Sequence, residues 1–298
     1  MKILVTGRDG QLARCLADRA GLHPDITLER VGRPALDLER PETIASAIEN
    51  ARPDVVVSAA AYTAVDQAED EPDRAFLVNA EAAGALAEAA RNVGAPIIHV
   101  STDYVFDGNS QAPLDENAPT RPIGIYGKSK LAGEEAVRRA TLDHVIVRTA
   151  WVYSPYGRNF VKTMLGLAAG RPEINVVADQ WGNPSAAHDI ADGILAILSG
   201  WRNGGAAGLG ETYHLAGTGT ASWHGFAEHI FAEAARLGLP SARANPIATA
   251  DWPTKARRPA FSMLNSSRFT ADFGYAMPDW RQSTTRVIEA LASASPPD

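Results

Sequence analysis

Cysteine is almost missing from this chain: Cys15 is the only one among 298 residues. No internal disulfide can form, which excludes a small secreted scaffold held together by bridges. An excess of positive charge is missing too. Lys and Arg number 28 against 35 Asp and Glu, a formal net charge of −7, whereas a nucleic-acid binder needs a basic surface to neutralise phosphates. That balance still leaves room for a local basic pocket that takes a small anion. Long hydrophobic runs are the third absence. No stretch approaches the ~18 apolar residues of a transmembrane helix, and the apolar Ile3-Leu4-Val5 breaks off well short of a secretory h-region. No pair of histidines at i, i+4 is joined to other ligands, so no catalytic zinc is expected. The expectation is a soluble cytoplasmic protein with neither a membrane nor a nucleic-acid partner.

What the chain does have is apolar surface. Hydrophobic residues make up 45% of it and aromatics only 7%, ample at this length for one large domain or two unequal ones. Short aliphatic runs at Ile3–Val5, Ile26–Val31, Val55–Ser58, Ile97–Val100 and Val145–Arg148 alternate with helical patterns at Leu12–Ala20, Glu42–Asn50 and Arg74–Val93. Strands that are apolar throughout, alternating with helices, predict a parallel sheet covered on both faces. After Trp151 the pattern loosens. Helices are predicted near Phe160–Ala169, Asp189–Leu198 and Trp223–Leu237, strands at Ile174–Ala178 and Thr212–Leu215, and a Gly/Ala-rich loop at Gly204–Gly210. The predicted fold is α/β, a Rossmann-type doubly wound parallel sheet with a smaller, mostly helical C-terminal lobe. Residues 1–152 plus 186–217 are assigned to the dinucleotide domain, and 153–185 plus 218–298 to the substrate lobe.

The first strand runs straight into Thr6-Gly-Arg-Asp-Gly-Gln-Leu-Ala13. Gly7 and Gly10, with Ala13 in the third place, fit the turn that lets backbone approach a pyrophosphate, and the following helix offers its N-terminus to the phosphates. A Gly-rich turn alone is weak, but here it follows a strand and precedes a helix, the context the motif requires. The second strand ends in Leu28-Glu-Arg-Val-Gly-Arg33. An acidic residue at its end would hold a ribose 2′-OH, whereas an arginine accommodates a 2′-phosphate. Arg33 therefore points to NADPH, with NADH as the open alternative.

The fourth strand leads into Ser101-Thr-Asp-Tyr-Val-Phe-Asp-Gly108, which places hydroxyls and a carboxylate where open α/β sheets bind ligands. Farther on lies Ile125-Tyr-Gly-Lys-Ser-Lys-Leu-Ala-Gly-Glu-Glu135. Tyr126 and Lys130 stand one helical turn apart, on one face and about 6 Å apart along the axis. A free tyrosine has a pKa of about 10, and a neighbouring ammonium would lower it toward the working range. Taken alone, such a pair is an ordinary solvated helix face. The upstream Gly-rich turn and the hydroxyl cluster favour an acid–base pair, with small Ser129, Ala132 and Gly133 as clearance for a nicotinamide.

With these motifs the chain resembles the extended short-chain dehydrogenase/reductase superfamily, whose signature pair is Tyr126-x-x-x-Lys130. Within it the chain is similar to the dTDP-4-dehydrorhamnose reductase family over nearly its whole length. The likeness is carried by "TGRDGQLA", "LDLERPE", "RPDVVVSAAAYTAVDQAEDEP", "STDYVFDG", "YGKSKLAGEE", "RTAWVY", "NFVKTML", "DQWGNPS" and "ARRPAFSMLN". The resemblance implies that Gly10, Gln11 and Leu12 line the pyrophosphate turn and that Asp37 and Leu38 flank the adenine. It implies that Ala61, Tyr62 and Thr63 approach the adenosine half and that Lys130 also binds the nicotinamide ribose. Thr102 and Asp103 would meet the sugar, Tyr126 would donate the proton, and Trp151 would pack on the substrate. Charge and position make Arg258 a contact for the dTDP diphosphate, with Arg257 as competitor. The implied reaction is NADPH-dependent reduction of the C4 keto group of a dTDP-4-keto-6-deoxy sugar, the last step of dTDP-L-rhamnose synthesis, and a homodimer is an open expectation.

The chain also departs from the family pattern. Ala13 replaces a glycine, Ser58 stands where asparagine is common, and Asn265 stands where aspartate is usual. Some relatives carry a glutamate at the position of Cys15 and use it for an intersubunit magnesium, so no such metal is expected here. The alternatives are an epimerase or reductase of another dTDP-4-keto-6-deoxy sugar, a dehydratase, and a non-catalytic regulatory relative. Dehydratases carry an acidic pair after the threonine, whereas Asp103 is followed by Tyr104. The presence of Thr102, Tyr126 and Lys130 together weighs against a regulatory role.

Overall fold

The computed structural model describes residues 1–202 and 205–294. Gly204, where the predicted loop begins, and 295–298, the end of the predicted substrate lobe, lie outside the described residues. The strands β1 (Lys2–Thr6), β2 (Thr27–Val31), β3 (Val55–Ser58), β4 (Ile97–Thr102) and β5 (His144–Thr149) precede β6 (Glu173–Val177) and β7 (Glu211–His214). Six of them form one sheet in the order β2-β1-β3-β4-β5-β7, parallel at every pairing. The chain winds outward from β1 to β2, then returns past β1 to β3. The direction of winding therefore reverses between β1 and β3, and a crevice opens there at the carboxyl ends of the strands.

Helices cover both faces. On one side α1 (Gln11–Ala20) packs with α6 (Ala187–Arg202), and on the other lie α2 (Glu42–Ala51), α3 (Ala82–Asn92) and α4 (Ile125–Ala140). The strand period of two sorts β1 accordingly: Ile3 and Val5 join the first core, Leu4 the second. Each of these side chains is fully buried, and each contributes about 1.5–3 kcal/mol of transfer free energy. A separate core holds the second lobe, where Tyr153, Val161, Phe226, Ile230, Trp280 and Ile288 pack together. It joins α5 (Phe160–Ala168), α7 (Trp223–Arg236) and α9 (Trp280–Ala294) to a parallel pair, β6 with β8 (Arg243–Ile247). A short helix, α8 (Ser267–Phe273), lies between.

Two expectations need correction. The strands are not all apolar. β2 is an edge strand, half-exposed to water, and its Glu29 pairs with Lys2 at 3.3 Å. An edge strand has one neighbour instead of two and tolerates such polar residues. The segment Arg74–Val93 is not one helix either. A helix at Pro72–Phe76 gives way to a π turn at Leu77–Glu81 before α3 begins. The turn delivers the buried Asn79, whose amide donates to Ser129 Oγ at 3.0 Å and to the carbonyl of Tyr62 at 3.1 Å.

One buried ion cluster fixes α4 to the sheet. Glu134 is fully buried and accepts from Arg148 Nε at 2.9 Å and Nη2 at 2.7 Å, from Ser101 Oγ at 2.6 Å, and from Arg138 at 3.0 Å. Burial alone would raise its pKa, but the hydrogen bonds and charge of Arg148, with Ser101 and Arg138, prevail and hold the carboxyl below its usual range. Removing one partner of such a pair leaves an uncompensated buried charge. Glu134→Ala is therefore expected to lower stability by about 3–5 kcal/mol, read by urea denaturation at pH 7. Because the folded carboxyl is the more acidic one, this contribution is present above the ordinary carboxylate pKa of ~4.3 and is lost as pH falls below it. Wild-type stability in the variant would refute this account.

Candidate active site

The crevice at the carboxyl ends of β1, β3 and β4 is a cavity of about 680 Å³. Gly7 opens it with φ of +91°, a left-handed conformation that favours glycine, and an added Cβ would lie 3.1 Å from that of Ala60. Gly10 donates its N–H to the Gly7 carbonyl at 2.8 Å, closing the turn. Gln11 and Leu12, at the start of α1, line the same wall. Gln11 Oε1 accepts from Ser154 Oγ at 2.9 Å and Asn159 Nδ2 at 3.0 Å, which ties the turn to the second lobe. This small-residue cradle, with a helix N-terminus behind it, fits the pyrophosphate of a dinucleotide.

A second cavity of about 350 Å³ continues from it and is lined by Gly7, Arg33, Asp37, Leu38, Ala61, Tyr62 and Thr63. The structure therefore gathers the residues expected around the adenosine. Arg33 lies in this cavity, whereas Arg30 turns away and donates to the Arg8 carbonyl at 2.9 Å. The backbone N–H of Tyr62 donates to Asn79 Oδ1 at 2.8 Å, so the π turn positions this wall.

Thr102, Asp103, Tyr126, Lys130 and Trp151 meet in the first cavity. Thr102 ends β4, and its hydroxyl donates to Asp103 Oδ1 at 3.1 Å while accepting from the Tyr104 N–H at 3.2 Å. Tyr126 faces Thr102, whose hydroxyl acts to lower the phenol's pKa. Burial pushes the Tyr126 phenol up to about 12, against the lowering effect of Thr102 and with a further push from the charge of Asp103. The expected net lowering of this pKa is not found: burial prevails, and the phenol stays protonated near neutral pH. Lys130 is brought down to about 8, again by burial, against the attraction of Glu134.

The small residues around the pair also need reassignment. Ser129 and Gly133 do not clear space for a nicotinamide. They face the π turn, where a Cβ on Gly133 would stand 2.1 Å from the Asn79 carbonyl oxygen. Their size sets how closely α4 approaches its neighbour.

Asp103 is itself buried and accepts from Ser262 Oγ at 2.6 Å. Burial raises its pKa to about 6, opposed by the bonds from Ser262 and Thr102. Trp151 has φ of +46° and stacks face to face on Trp223, with centroids 3.5 Å apart and planes 5° apart. Beneath it Gly182 leaves room that a Cβ, at 2.7 Å from the indole, would fill. The sequence reading missed Trp223, read only as a helix start, and Ser262. The signals were "ARRPAFSMLN", which contains Ser262, and "DQWGNPS", which contains Gly182.

Trp223 lines a third cavity as well, of about 350 Å³, together with Asp66, Gln180, Trp252 and Arg258. Arg258 pairs with Asp66 at 2.7 Å, while Arg257 is exposed. Apart from these cavities, Cys15, Asp18 and His188 offer ligand atoms within 4.8 Å of one another. Burial drives the Cys15 thiol up to about 12, with Asp18 adding to it, and Asp18 Oδ2 already meets His188 at 2.9 Å and Tyr156 OH at 2.8 Å. No helix among the described residues is long and apolar enough to cross a membrane.

A dinucleotide cradle on a six-stranded parallel sheet, with a Tyr-x-x-x-Lys pair facing a threonine across the crevice, defines a short-chain dehydrogenase/reductase. Comparison with known proteins narrows this. The RmlD substrate binding domain family matches residues 1–293. A dTDP-4-dehydrorhamnose reductase of Sinorhizobium fredii is 47% identical over 98% of this chain and 98% of its own. Two solved structures of such reductases superpose with TM-score 0.89 at 35% identity. One, from Clostridium acetobutylicum, covers 98% of this chain and 99% of its own. The other, from Bacillus anthracis in complex with NADP, covers 97% and 99%. The chain belongs to the dTDP-4-dehydrorhamnose reductase family.

The protonation states yield a test. Loss of the Lys130 charge should reduce turnover as pH rises, so the alkaline limb of kcat/KM is expected near pH 8 and not near the phenol's value. A profile flat to pH 10 would contradict this assignment.

Proposed function

We propose that the protein reduces the C4 keto group of dTDP-4-dehydro-β-L-rhamnose to give dTDP-β-L-rhamnose, using NADPH. The observation that carries this reading is the meeting of Thr102, Tyr126 and Lys130 in one cavity that continues into the adenosine cavity on one side. On the other it shares Trp223 with the cavity of Arg258. Bound NADPH supplies the hydride for such a reaction. The Gly7–Leu12 turn would hold its pyrophosphate, and Arg33 is suited to a 2′-phosphate because a guanidinium offers a fork of donors.

As charge develops on the C4 oxygen, Tyr126 is a proton donor already in its acid form. The Thr102 hydroxyl can rotate from Asp103 to the same oxygen, so donors are in place before the charge appears. Once the proton has left, the Lys130 ammonium stabilises the phenolate, and it is also suited to the nicotinamide ribose. Trp151, supported by Trp223, offers a flat apolar wall to the 6-deoxy sugar. Arg258 is suited to the diphosphate, and holding the nucleotide remotely turns an encounter into an oriented reaction. The reading goes with the cytoplasmic location and the homodimer expected from the sequence.

Mixing the protein with dTDP-4-dehydrorhamnose and NADPH, and following the nicotinamide absorbance, tests the reading directly. Absence of oxidation with this sugar but turnover of another dTDP-4-keto-6-deoxy sugar would move the assignment to that substrate. Tyr126→Phe is expected to lower kcat by about 10²–10⁴-fold, the usual worth of a general acid, while NADPH affinity stays near wild type. Wild-type turnover in that variant would overturn the role of Tyr126. For the arginines, Arg258→Ala should raise KM for the sugar nucleotide by about 10–100-fold, as expected for one lost charge-assisted contact, and Arg257→Ala should leave it nearly unchanged. The reverse result would exchange their roles.

A further inference from the structure

Ser58 and His99 form a buried chain with Lys130, and neither of the two has a role above. Ser58 ends β3, His99 lies in β4, and Lys130 reaches across from α4. All three are at most 2% exposed. His99 Nδ1 is 3.1 Å from Ser58 Oγ, and its Nε2 is 3.3 Å from Lys130 Nζ. Lys130 Nζ also donates to the Val100 carbonyl at 2.7 Å.

An ammonium carries three N–H donors and no acceptor. One is taken by Val100. The contact with Nε2 is attractive only if that nitrogen presents its lone pair, so the His99 proton must sit on Nδ1. From there it is donated to Ser58, whose hydroxyl selects the tautomer. Among the described residues no other side chain takes the third N–H, which is left for the cavity that Lys130 lines. We infer that Ser58 and His99 are positioning residues, which hold the Lys130 ammonium charged and aim its remaining N–H at the nicotinamide ribose and Tyr126. His99 is held well below its ordinary pKa by burial and then by the charge of Lys130, so it stays neutral and keeps its lone pair. The other titratable groups that act on this chain are Glu134 and Arg138 on α4 and His144 on β5. None of them replaces the acceptor at Nε2.

The inference rests on the reductase reading, and the test separates the two. His99→Leu removes the acceptor, whereas His99→Gln puts an amide oxygen close to where Nε2 lies. NADPH affinity is measured by fluorescence titration, and kcat/KM against pH by nicotinamide absorbance. For His99→Leu, kcat/KM is expected to fall by about 10–100-fold, the range of one hydrogen bond to a charged group. Its alkaline limb should move down by about one pH unit, because the neutral amine loses less than the ammonium. NADPH affinity should weaken alongside. His99→Gln should recover most of the turnover and the wild-type limb, and Ser58→Ala should shift the limb in the same direction by less. A glutamine variant as impaired as the leucine variant, with the limb unmoved in both, would show a merely structural histidine and overturn the assignment. Should His99→Leu fail to fold by circular dichroism, Ser58→Ala carries the test: a shifted limb supports the assignment and an unshifted one overturns it. Wild-type protein that oxidises NADPH with no dTDP-4-keto sugar would sink the reductase reading, while the NADPH affinities of the variants would still decide this one.

Discussion

The carboxylate of Glu134, bound by Arg148, Ser101 and Arg138 in a site closed to water, is the interaction on which the active site depends. It lies one turn beyond Lys130 on α4 and grips β4 next to Thr102 and β5 next to Thr149. Sliding α4 by one residue would break the bonds from Ser101 and Arg148 together, which makes the register of the helix on the sheet all-or-none. The separation of Tyr126 from Thr102 is therefore set by a charge cluster that never touches substrate.

Burial acts on the reacting groups in a consistent direction. It raises the phenol of Tyr126 and the carboxyl of Asp103 and lowers the ammonium of Lys130, in each case favouring the uncharged form. At neutral pH the crevice holds a neutral phenol beside a Lys130 that still carries its proton, so the alkoxide forming on the sugar meets a proton donor and a cation already in place. Stabilisation by fixed donors is strongest in such a dry setting. Toward Tyr126, the neighbouring ammonium matters once the proton has moved.

The sheet was largely legible in the sequence because β1, β3, β4 and β5 are covered on both faces and carry uninterrupted aliphatic runs. β2 and β6 were also placed to within a residue, whereas β8 was not read as a strand. β8 contains Pro246 and alternates between half-buried and exposed residues, so no apolar run marks it. The chemistry-bearing motifs were readable as local patterns, Gly7–Leu12 and Tyr126–Lys130 above all. What spacing could not give is partnership across distance. Trp223 meets Trp151, and Ser262 meets Asp103, only through the fold. The direction of the tyrosine's pKa was misread for the same reason, since desolvation is a property of the packed molecule and not of a four-residue interval.

The bonds Asp103–Ser262 and Asp66–Arg258 join residues 159 and 192 positions apart. During synthesis, the sheet strands β1 to β5 leave the ribosome long before residue 262 does. Contacts of such long sequence separation form late, after loop closure has been met by earlier structure. A nascent chain can thus complete the nucleotide cradle while its sugar side is still open and its threonine–aspartate pair lacks its last partner. The protein gains its catalytic geometry in two instalments, the second delivered by its final forty or so residues.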